Sequence, residues 1–554
     1  MTGGTGPADE AFVTRFCNAL AHPRSKGARP PQPSSRVEHG VLIETDVAIG
    51  LRDGVRIRAD IYRPASGSML AAPLIAWGPY GKHGHTRYSV NFPKADVDDR
   101  HLSAYTAFEA PDPFLWVPHG YAVINVDPRG TWYSQGDASY LSAAEARDFY
   151  DVIEWAGTRD WSNGKVGLSG VSYLTSSQWF VAALRPPHLA AINPWEGWSD
   201  TYREVVRHGG IPETSFWDYL PGRWGHGLGQ VEDLRLETRE RPLFDAYWAS
   251  KKADLEAIEV PAFVVASWTD QALHTRGTLE GFKQIGSTRK WLYAHGRKKW
   301  AHYYDPASIA LQRQFFDRFL HDRDSGIEDW PKVRLEVRER FGVGKDKSAA
   351  AWPVPETRYR KYFLRPDGGL AETSAAAGSV RYDARAGAAC FAMTFAERTE
   401  LVGHMKLLLH VEADGSDDMD LFVAVQKLDR DGALTPFAFY AQYEDGPVAL
   451  GWLRVSHRGL DAERSREWQP VHLHDREDRL AAGEIVPVDI EIWPSGTGFD
   501  AGEGLRVVVQ GRDVYDYPKP SVYARHEDTR NRGVHILHMG GEHDSHLLVP
   551  EVTL

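Results

Sequence analysis

A serine, Ser172, stands between a short apolar segment and a helical one, an arrangement that can present a nucleophile. Residues 166–168 predict a buried strand, and the turn Gly-Val-Ser-Tyr after it leads directly into a helix that Pro186 ends. Such a junction lifts the serine hydroxyl off the backbone and directs helix N–H groups toward it, which suits acyl transfer. Leu174 stands where this motif usually has its second glycine, so a serine that only caps the helix is the alternative.

An acid and a base for this serine follow two later predicted strands. Asp270 comes just after the apolar segment 260–267, and His295 comes at the end of the segment 290–294. Loops at the carboxyl ends of parallel strands meet at one edge of the sheet, and the chain order Ser, Asp, His is the order of α/β-hydrolases. A helix-capping aspartate and a packing histidine are the alternative interpretations.

Composition limits the classes of partner. The 554 residues carry a net charge of −12, so no basic surplus is available for nucleic acid or an anionic membrane. Cys17 and Cys390 are too few and too distant for a disulfide framework or a cysteine metal site, which fits a cytoplasmic protein without a metal. A short helix is predicted over 10–21.

Strands that alternate with helices up to residue 350 predict a parallel α/β sheet, after a hairpin over 41–64. A region rich in aromatic residues interrupts this alternation, and beyond about residue 350 strand-like segments and turns replace the helices. We therefore predict an α/β fold with a second, all-β domain. The predicted parts are an N-terminal arm (1–35), an α/β-hydrolase domain in two pieces (36–195 and 260–350), a helical cap (196–259) and a C-terminal β-sandwich of the jelly-roll type (351–554).

Several motifs resemble one group of serine hydrolases, which comprises X-prolyl dipeptidyl aminopeptidases, cocaine esterases and α-amino acid ester hydrolases. The resemblance extends from Val41 to the C-terminus. It implies a catalytic domain with a helical cap and a jelly roll packed against it, which would wall one side of the site or stabilise an oligomer. The motifs are the hairpin 52–64, Gly-Pro-Tyr-Gly-Lys at 78–82, Asp-Pro-Arg-Gly at 127–130, Gly-Val-Ser-Tyr at 170–173, Phe-Phe-Asp-Arg-Phe-Leu at 315–320, Pro-Lys-Val-Arg-Leu at 331–335 and Gly-Trp-Leu-Arg-Val-Ser-His-Arg at 451–458.

The resemblance also implies roles for individual residues. Ser172 would be the nucleophile and Asp270 the acid that orients the base, while the Tyr80 hydroxyl and the backbone N–H of Tyr173 would bind the oxyanion. Two histidines compete as the base. His302 keeps the Trp-x-His fragment of the family, but His295 is anchored at a strand end, so we favour His295.

An aromatic pocket favours an apolar acyl or alcohol group, and Trp198, Trp217 and Trp268 are its predicted walls. We expect ester hydrolysis of a small molecule without a cofactor. Amide hydrolysis, including X-Pro dipeptidyl aminopeptidase activity, is the alternative, followed by acyl transfer and by a non-catalytic carbohydrate-binding protein. A homodimer is one of the oligomeric states that the sequence allows. An aminopeptidase would need a carboxylate for the substrate ammonium, for which the cap offers Glu196, Asp200, Glu204, Glu213 and Asp218.

Overall fold

Alternating apolar residues at the start of the chain form the predicted hairpin, whose two strands pair in antiparallel register. The computed structural model describes residues 12–22, 30–67, 69–82, 86–517 and 523–554. A further strand, Ser34–Glu38, pairs with the outer edge of this hairpin. The hairpin opens a large mixed sheet.

Eight strands, numbered β1 to β8, make up the catalytic sheet. The order is β1-β2-β4-β3-β5-β6-β7-β8, and all pairs from β4 to β8 are parallel. Continuous apolar stretches make these inner strands buried on both faces, as a parallel sheet requires. The α/β-hydrolase fold is therefore confirmed. The strands are β1 (Val41–Gly50), β2 (Arg56–Pro64), β3 (Ala72–Trp77), β4 (Tyr121–Asp127), β5 (Val166–Val171), β6 (Leu189–Trp195), β7 (Ala262–Ser267) and β8 (Lys290–His295).

Helices cover both faces of the sheet. The first begins where Ser142 accepts a hydrogen bond from the Glu145 N–H, 3.1 Å long, and it buries Phe149 and Val152 against the strands. A later one buries three phenylalanines on one side. The helices used below are α1 (Ala143–Gly157), α2 (Tyr173–Ala182), α3 (Thr275–Gln284), α4 (Lys299–Tyr303) and α5 (Pro306–Leu320).

The segment between β6 and β7 lies over the carboxyl edge of the sheet and is irregular. It holds short helices, as predicted, but also three short strands, of which Gln230–Glu232 pairs with Phe16–Asn18 near the N-terminus. The helix predicted over 10–21 is therefore wrong in its described part, because this edge pairing keeps the chain extended; positions 10 and 11 lie outside the described residues. The short helices are Phe216–Tyr219, Pro221–Trp224, Leu234–Glu240 and Ala246–Ser250, with a π-helical turn at Tyr202–Val206.

The C-terminal part is a β-sandwich with its own apolar core. Val333–Arg340 extends the catalytic sheet beside β8 and forms a hairpin with Val343–Ala349. The sandwich strands pair antiparallel in two layers, one built around Thr399–Asp414 and the other around Gly504–Gln510. The other main strands are Arg358–Leu364, Gly378–Asp383, Ala388–Thr394, Asp420–Leu428, Ala449–Arg454, Val486–Phe499, Gly504–Gln510, Val534–Met539 and His546–Val552.

The sandwich contacts the catalytic domain at the loop after β7. The Gln271 amide donates to the Pro494 carbonyl at 3.2 Å and accepts from the Leu450 N–H at 3.1 Å. In the same loop, the Thr269 carbonyl accepts a hydrogen bond of 2.9 Å from the Tyr440 N–H. The C-terminal domain thus holds the loop that carries Asp270.

Candidate active site

Ser172 occupies a sharp turn between β5 and α2. Its backbone has φ 63° and ψ −118°, a conformation that a residue with a side chain adopts only under strain. The surrounding chain holds this conformation, because the Ser172 N–H donates to the carbonyls of Trp195 (3.2 Å) and Glu196 (2.8 Å) at the end of β6. Strain maintained in this way indicates a functional position rather than an ordinary helix cap.

Leu174 fits in place of the usual second glycine because neighbouring residues lack side chains. A Cβ atom at Gly78 or at Gly170 would lie 2.5 Å from Leu174, so these glycines make the space that Leu174 fills. Thr175 accepts a hydrogen bond from the Trp195 N–H at 2.7 Å, which ties α2 to β6. The missing second glycine therefore leaves the turn intact.

The histidine beside Ser172 is His274. Its Nε2 lies 3.2 Å from Ser172 Oγ, and its Nδ1 is hydrogen-bonded to Asp270 Oδ2. Since the carboxylate can only accept, Nδ1 carries the proton and Nε2 is free to accept one from the serine. The ring stacks on Trp198, with centroids 5.6 Å apart and planes 10° apart. Burial lowers the pKa of His274 against the opposing effect of Asp270, which keeps the imidazole neutral.

The prediction that His295, or alternatively His302, would contact Ser172 is wrong. His295 Nε2 lies 3.1 Å from Glu196 Oε1, and the His302 ring packs on His295 with centroids 4.1 Å apart. Within the described residues, no hydrogen bond or ion pair joins either histidine to Ser172. A short turn after Asp270 brings His274 to the serine instead, whereas His295 stays in the sheet as the register partner of Ser267.

A buried lysine completes the cluster. Lys299, the first residue of α4, places its Nζ 3.1 Å from Asp270 Oδ2 and 3.3 Å from His274 Nδ1. Burial would raise the pKa of Asp270, but the Lys299 ammonium and His274 outweigh it and bring that pKa down to about 2. Asp270 is therefore ionised at every pH at which the protein is expected to work.

Two candidate hydrogen-bond donors lie near Ser172, the Tyr80 hydroxyl and the Tyr173 N–H. Tyr80 lines the same cavity as Ser172, and burial raises the pKa of Tyr80 well above its usual value, so the phenol keeps its proton. Tyr173 is the first residue of α2, and its N–H has no intrahelical acceptor. The Tyr173 side chain points elsewhere, with its hydroxyl donating to Glu145 at 2.8 Å.

The cavity beside Ser172 is lined mainly by aromatic rings, Tyr80 among them, but the three predicted tryptophans are not among them. Trp198 stacks behind His274, the Trp217 indole donates to the Val205 carbonyl, and the Trp268 indole donates to the Glu336 carbonyl, so none of the three lines the cavity and that prediction is wrong. Tyr440 from the sandwich does line it, which confirms that this domain walls one side. The other aromatic and apolar walls are Tyr80, Phe92, Phe108, Phe216, Leu220 and Trp300.

Comparison with known proteins places the chain in a family. A crystal structure of a CocE/NonD family hydrolase from Staphylococcus aureus superimposes with a TM-score of 0.90 at 42% sequence identity, covering 93% of this chain and 94% of that one. The chain belongs to the CocE/NonD family of hydrolases. Family models for X-Pro dipeptidyl-peptidase (S15 family) and for the X-Pro dipeptidyl-peptidase C-terminal non-catalytic domain match residues 53–223 and 325–548.

More distant relatives agree with this assignment. A cocaine esterase from a Rhodococcus species is 24% identical over 605 residues, covering 93% of this chain and 99% of that protein. The structure of an α-amino acid ester hydrolase shares the fold, with a TM-score of 0.68 at 17% identity, over 94% of this chain and 98% of that one. CocE/NonD relatives include esterases and X-Pro dipeptidyl-peptidases, so the chain is a serine hydrolase.

The described part of this CocE/NonD hydrolase shows neither a candidate metal site nor a candidate membrane-spanning helix. The described residues contain no cluster of three or more His, Cys, Asp or Glu side chains that could hold a metal ion. No helix among them has the length and apolar character needed to span a membrane.

Three residues of the site were not predicted from the sequence: His274, Lys299 and Glu109. The first had a readable signal, because a histidine four residues after the predicted acid can reach back to it over one turn. Glu109 lies in a loop and Lys299 begins a short helix, and no pattern in the sequence distinguishes them from surface charges.

Proposed function

We propose that the chain hydrolyses carboxylic esters through an acyl-enzyme formed on Ser172, with His274 as the base and Asp270 as the residue that orients it. The observation that carries the proposal is the continuous hydrogen-bonded chain from Ser172 Oγ through His274 to Asp270. Asp270 fixes the tautomer of the imidazole and stabilises the imidazolium that forms when the serine loses its proton. His274 then returns this proton to the leaving alcohol.

The oxyanion of the tetrahedral intermediate would be held by the Tyr80 hydroxyl and the Tyr173 N–H. Tyr80 lines the cavity beside Ser172, and the Tyr173 N–H is fixed by its place at the helix start. Donors held in place before the reaction cost no reorganisation when charge develops, and each one is typically worth about 3 kcal/mol of transition-state stabilisation. Water, activated by His274, would release the acyl group in the second half of the cycle.

Ester hydrolysis ranks above peptide hydrolysis because the acidic residues of the cap do not line the cavity. Asp200 and Glu204 pair with arginines, and Glu213 accepts backbone N–H groups of its own loop. Glu196 accepts from Ser267, and Asp218 pairs with Arg235 at the surface. None of the five is available for a substrate ammonium.

The test is covalent labelling with a fluorophosphonate, followed by peptide mass spectrometry. We expect label on Ser172 in the native protein, none in Ser172→Ala, and unchanged labelling in Ser177→Ala, a control one turn further along α2. Label on another serine, or none on a folded protein, refutes the proposal. Turnover of p-nitrophenyl esters beside p-nitroanilides, with hydroxylamine as a competing nucleophile, distinguishes ester hydrolysis from amide hydrolysis and acyl transfer.

A further inference from the structure

Glu109 is a buried carboxyl group beside Ser172 that the proposed mechanism does not use. Its loop is tied to the serine turn, because the Val171 N–H donates to the Glu109 carbonyl at 3.1 Å. The Glu109 N–H donates to the Tyr88 hydroxyl at 2.9 Å. The backbone at Glu109 has φ 61°, which is unfavourable for a side chain of this size. Strain at a second residue next to the same serine indicates that the position of this carboxyl matters.

The two oxygens of the carboxyl group differ. Oε1 accepts a hydrogen bond of 2.7 Å from the Trp300 indole. Oε2 is buried and has no hydrogen-bond partner among the described residues, although Glu109 lines the same cavity as Ser172. A buried polar atom without a partner is costly, and at a ligand cavity the ligand is the natural source of the missing partner.

The charges around the cavity decide which kind of group fits. Its only other ionisable linings besides the tyrosines, within the described residues, are Lys299 and Arg223, which are both cationic. Lys299 pairs with Asp270, and Arg223 donates to the Tyr219 hydroxyl and lies over the Phe92 ring. A cationic ligand would therefore meet two like charges, whereas an uncharged one would not.

The protonation state of Glu109 also favours an uncharged ligand. Burial raises the pKa of Glu109 to about 8, against the opposing effect of Lys299. Near neutral pH the carboxyl is therefore mostly protonated. With Oε1 occupied as an acceptor, Oε2 carries the proton and can donate it to an oxygen of the ligand.

We propose that Glu109 is a substrate-binding residue that pairs with an uncharged oxygen group, a hydroxyl or ether, on the aromatic or apolar acyl part of the ester. This inference rests on the proposed function, since it names the substrate class of the same site. The aromatic walls would hold the apolar frame, and Oε2 would select the position of the single polar group. A site built for a hydrogen bond rejects a ligand that leaves its polar atom unpaired.

The experiment compares p-nitrophenyl 3-phenylpropanoate with its ortho-, meta- and para-hydroxyphenyl analogues and with a cationic aminomethylphenyl analogue. In the native enzyme we expect one hydroxyl isomer to exceed the unsubstituted ester in kcat/KM by about 10-fold, the upper range of a neutral hydrogen bond. Glu109→Leu should abolish this preference, so that in this variant no hydroxyl isomer exceeds the unsubstituted ester in kcat/KM. Glu109→Gln, which retains hydrogen bonding, should keep part of the preference.

Three results would overturn the proposal. One is turnover of all esters without preference for any hydroxyl isomer, and another is a preference that persists in Glu109→Leu shown to be folded by its melting temperature. The third is a preference for the aminomethyl ester that disappears in Glu109→Leu, which would show that Glu109 binds a cation. Absence of all ester turnover together with absence of fluorophosphonate label would instead refute the hydrolase function, and the substrate proposal would fall with it.

Discussion

Replacing Lys299 by methionine should move the acid limb of the pH profile of kcat/KM to higher pH. Lys299 Nζ lies 3.3 Å from His274 Nδ1, and its positive charge opposes protonation of that ring. Burial is the larger influence that lowers the pKa of His274, and Asp270 acts against it. Without the ammonium, the imidazole holds its proton to higher pH, so a smaller fraction of the enzyme carries the neutral base that takes the serine proton.

The magnitude follows from the geometry. Two unit charges about 4 Å apart interact by about 4 kcal/mol at an effective dielectric constant of about 20, which corresponds to an upper limit of about 3 pH units. Relaxation of the site and partial neutralisation by the carboxylates of Asp270 and Glu196, which also act on Lys299, reduce this value. We therefore expect the limb to move by about one to two pH units, so that kcat/KM on the acid side of the native limb falls about 10- to 100-fold and recovers at high pH.

The assay is the hydrolysis of one p-nitrophenyl ester between pH 5 and 9.5, with the melting temperature of each variant measured alongside. Lys298→Met is the matched control. The side chain of this neighbour points away from the site, with its ammonium 2.5 Å from Asp96 and 2.7 Å from Glu444. An acid limb that stays in place in folded Lys299→Met, or that moves to lower pH, would refute the reasoning.

Two further substitutions test the serine turn. Tyr80→Phe removes one of the two proposed oxyanion donors, so kcat should fall about 100- to 1,000-fold with a small change in KM; a kcat within 3-fold of the native value would exclude the role. Gly78→Ala places a methyl group 2.5 Å from Leu174 and should lower the free energy of unfolding by about 1–3 kcal/mol, measured in urea. Adding Leu174→Ala should recover part of that loss, and a double variant no more stable than Gly78→Ala would contradict the packing argument.

Local patterns in the sequence were sufficient to predict the strands and helices that position the site. Apolar segments of six or seven residues between helical ones have one stable arrangement, a parallel sheet covered on both faces, and this fixes the edge at which Ser172 and Asp270 lie. The β-sandwich was equally readable, because its strands alternate and its turns are rich in glycine and aspartate.

Residues on loops could not be predicted in this way. His295 follows a strand end, as the rule for such sheets favours, but a tight turn brings His274 closer to Ser172. Trp268 was expected to wall the pocket. Its indole N–H instead donates to the Glu336 carbonyl and turns the ring away. Such choices depend on which distant backbone groups need partners, and a single sequence does not contain that information.

The most direct test of the account compares three histidine variants in one assay. His274→Ala should lower kcat for a p-nitrophenyl ester by about 1,000-fold or more, because the serine then has no base. His295→Ala and His302→Ala, if folded, should keep kcat within about 10-fold of the native value. The central claim would be contradicted if His274→Ala remained active while His295→Ala or His302→Ala lost activity.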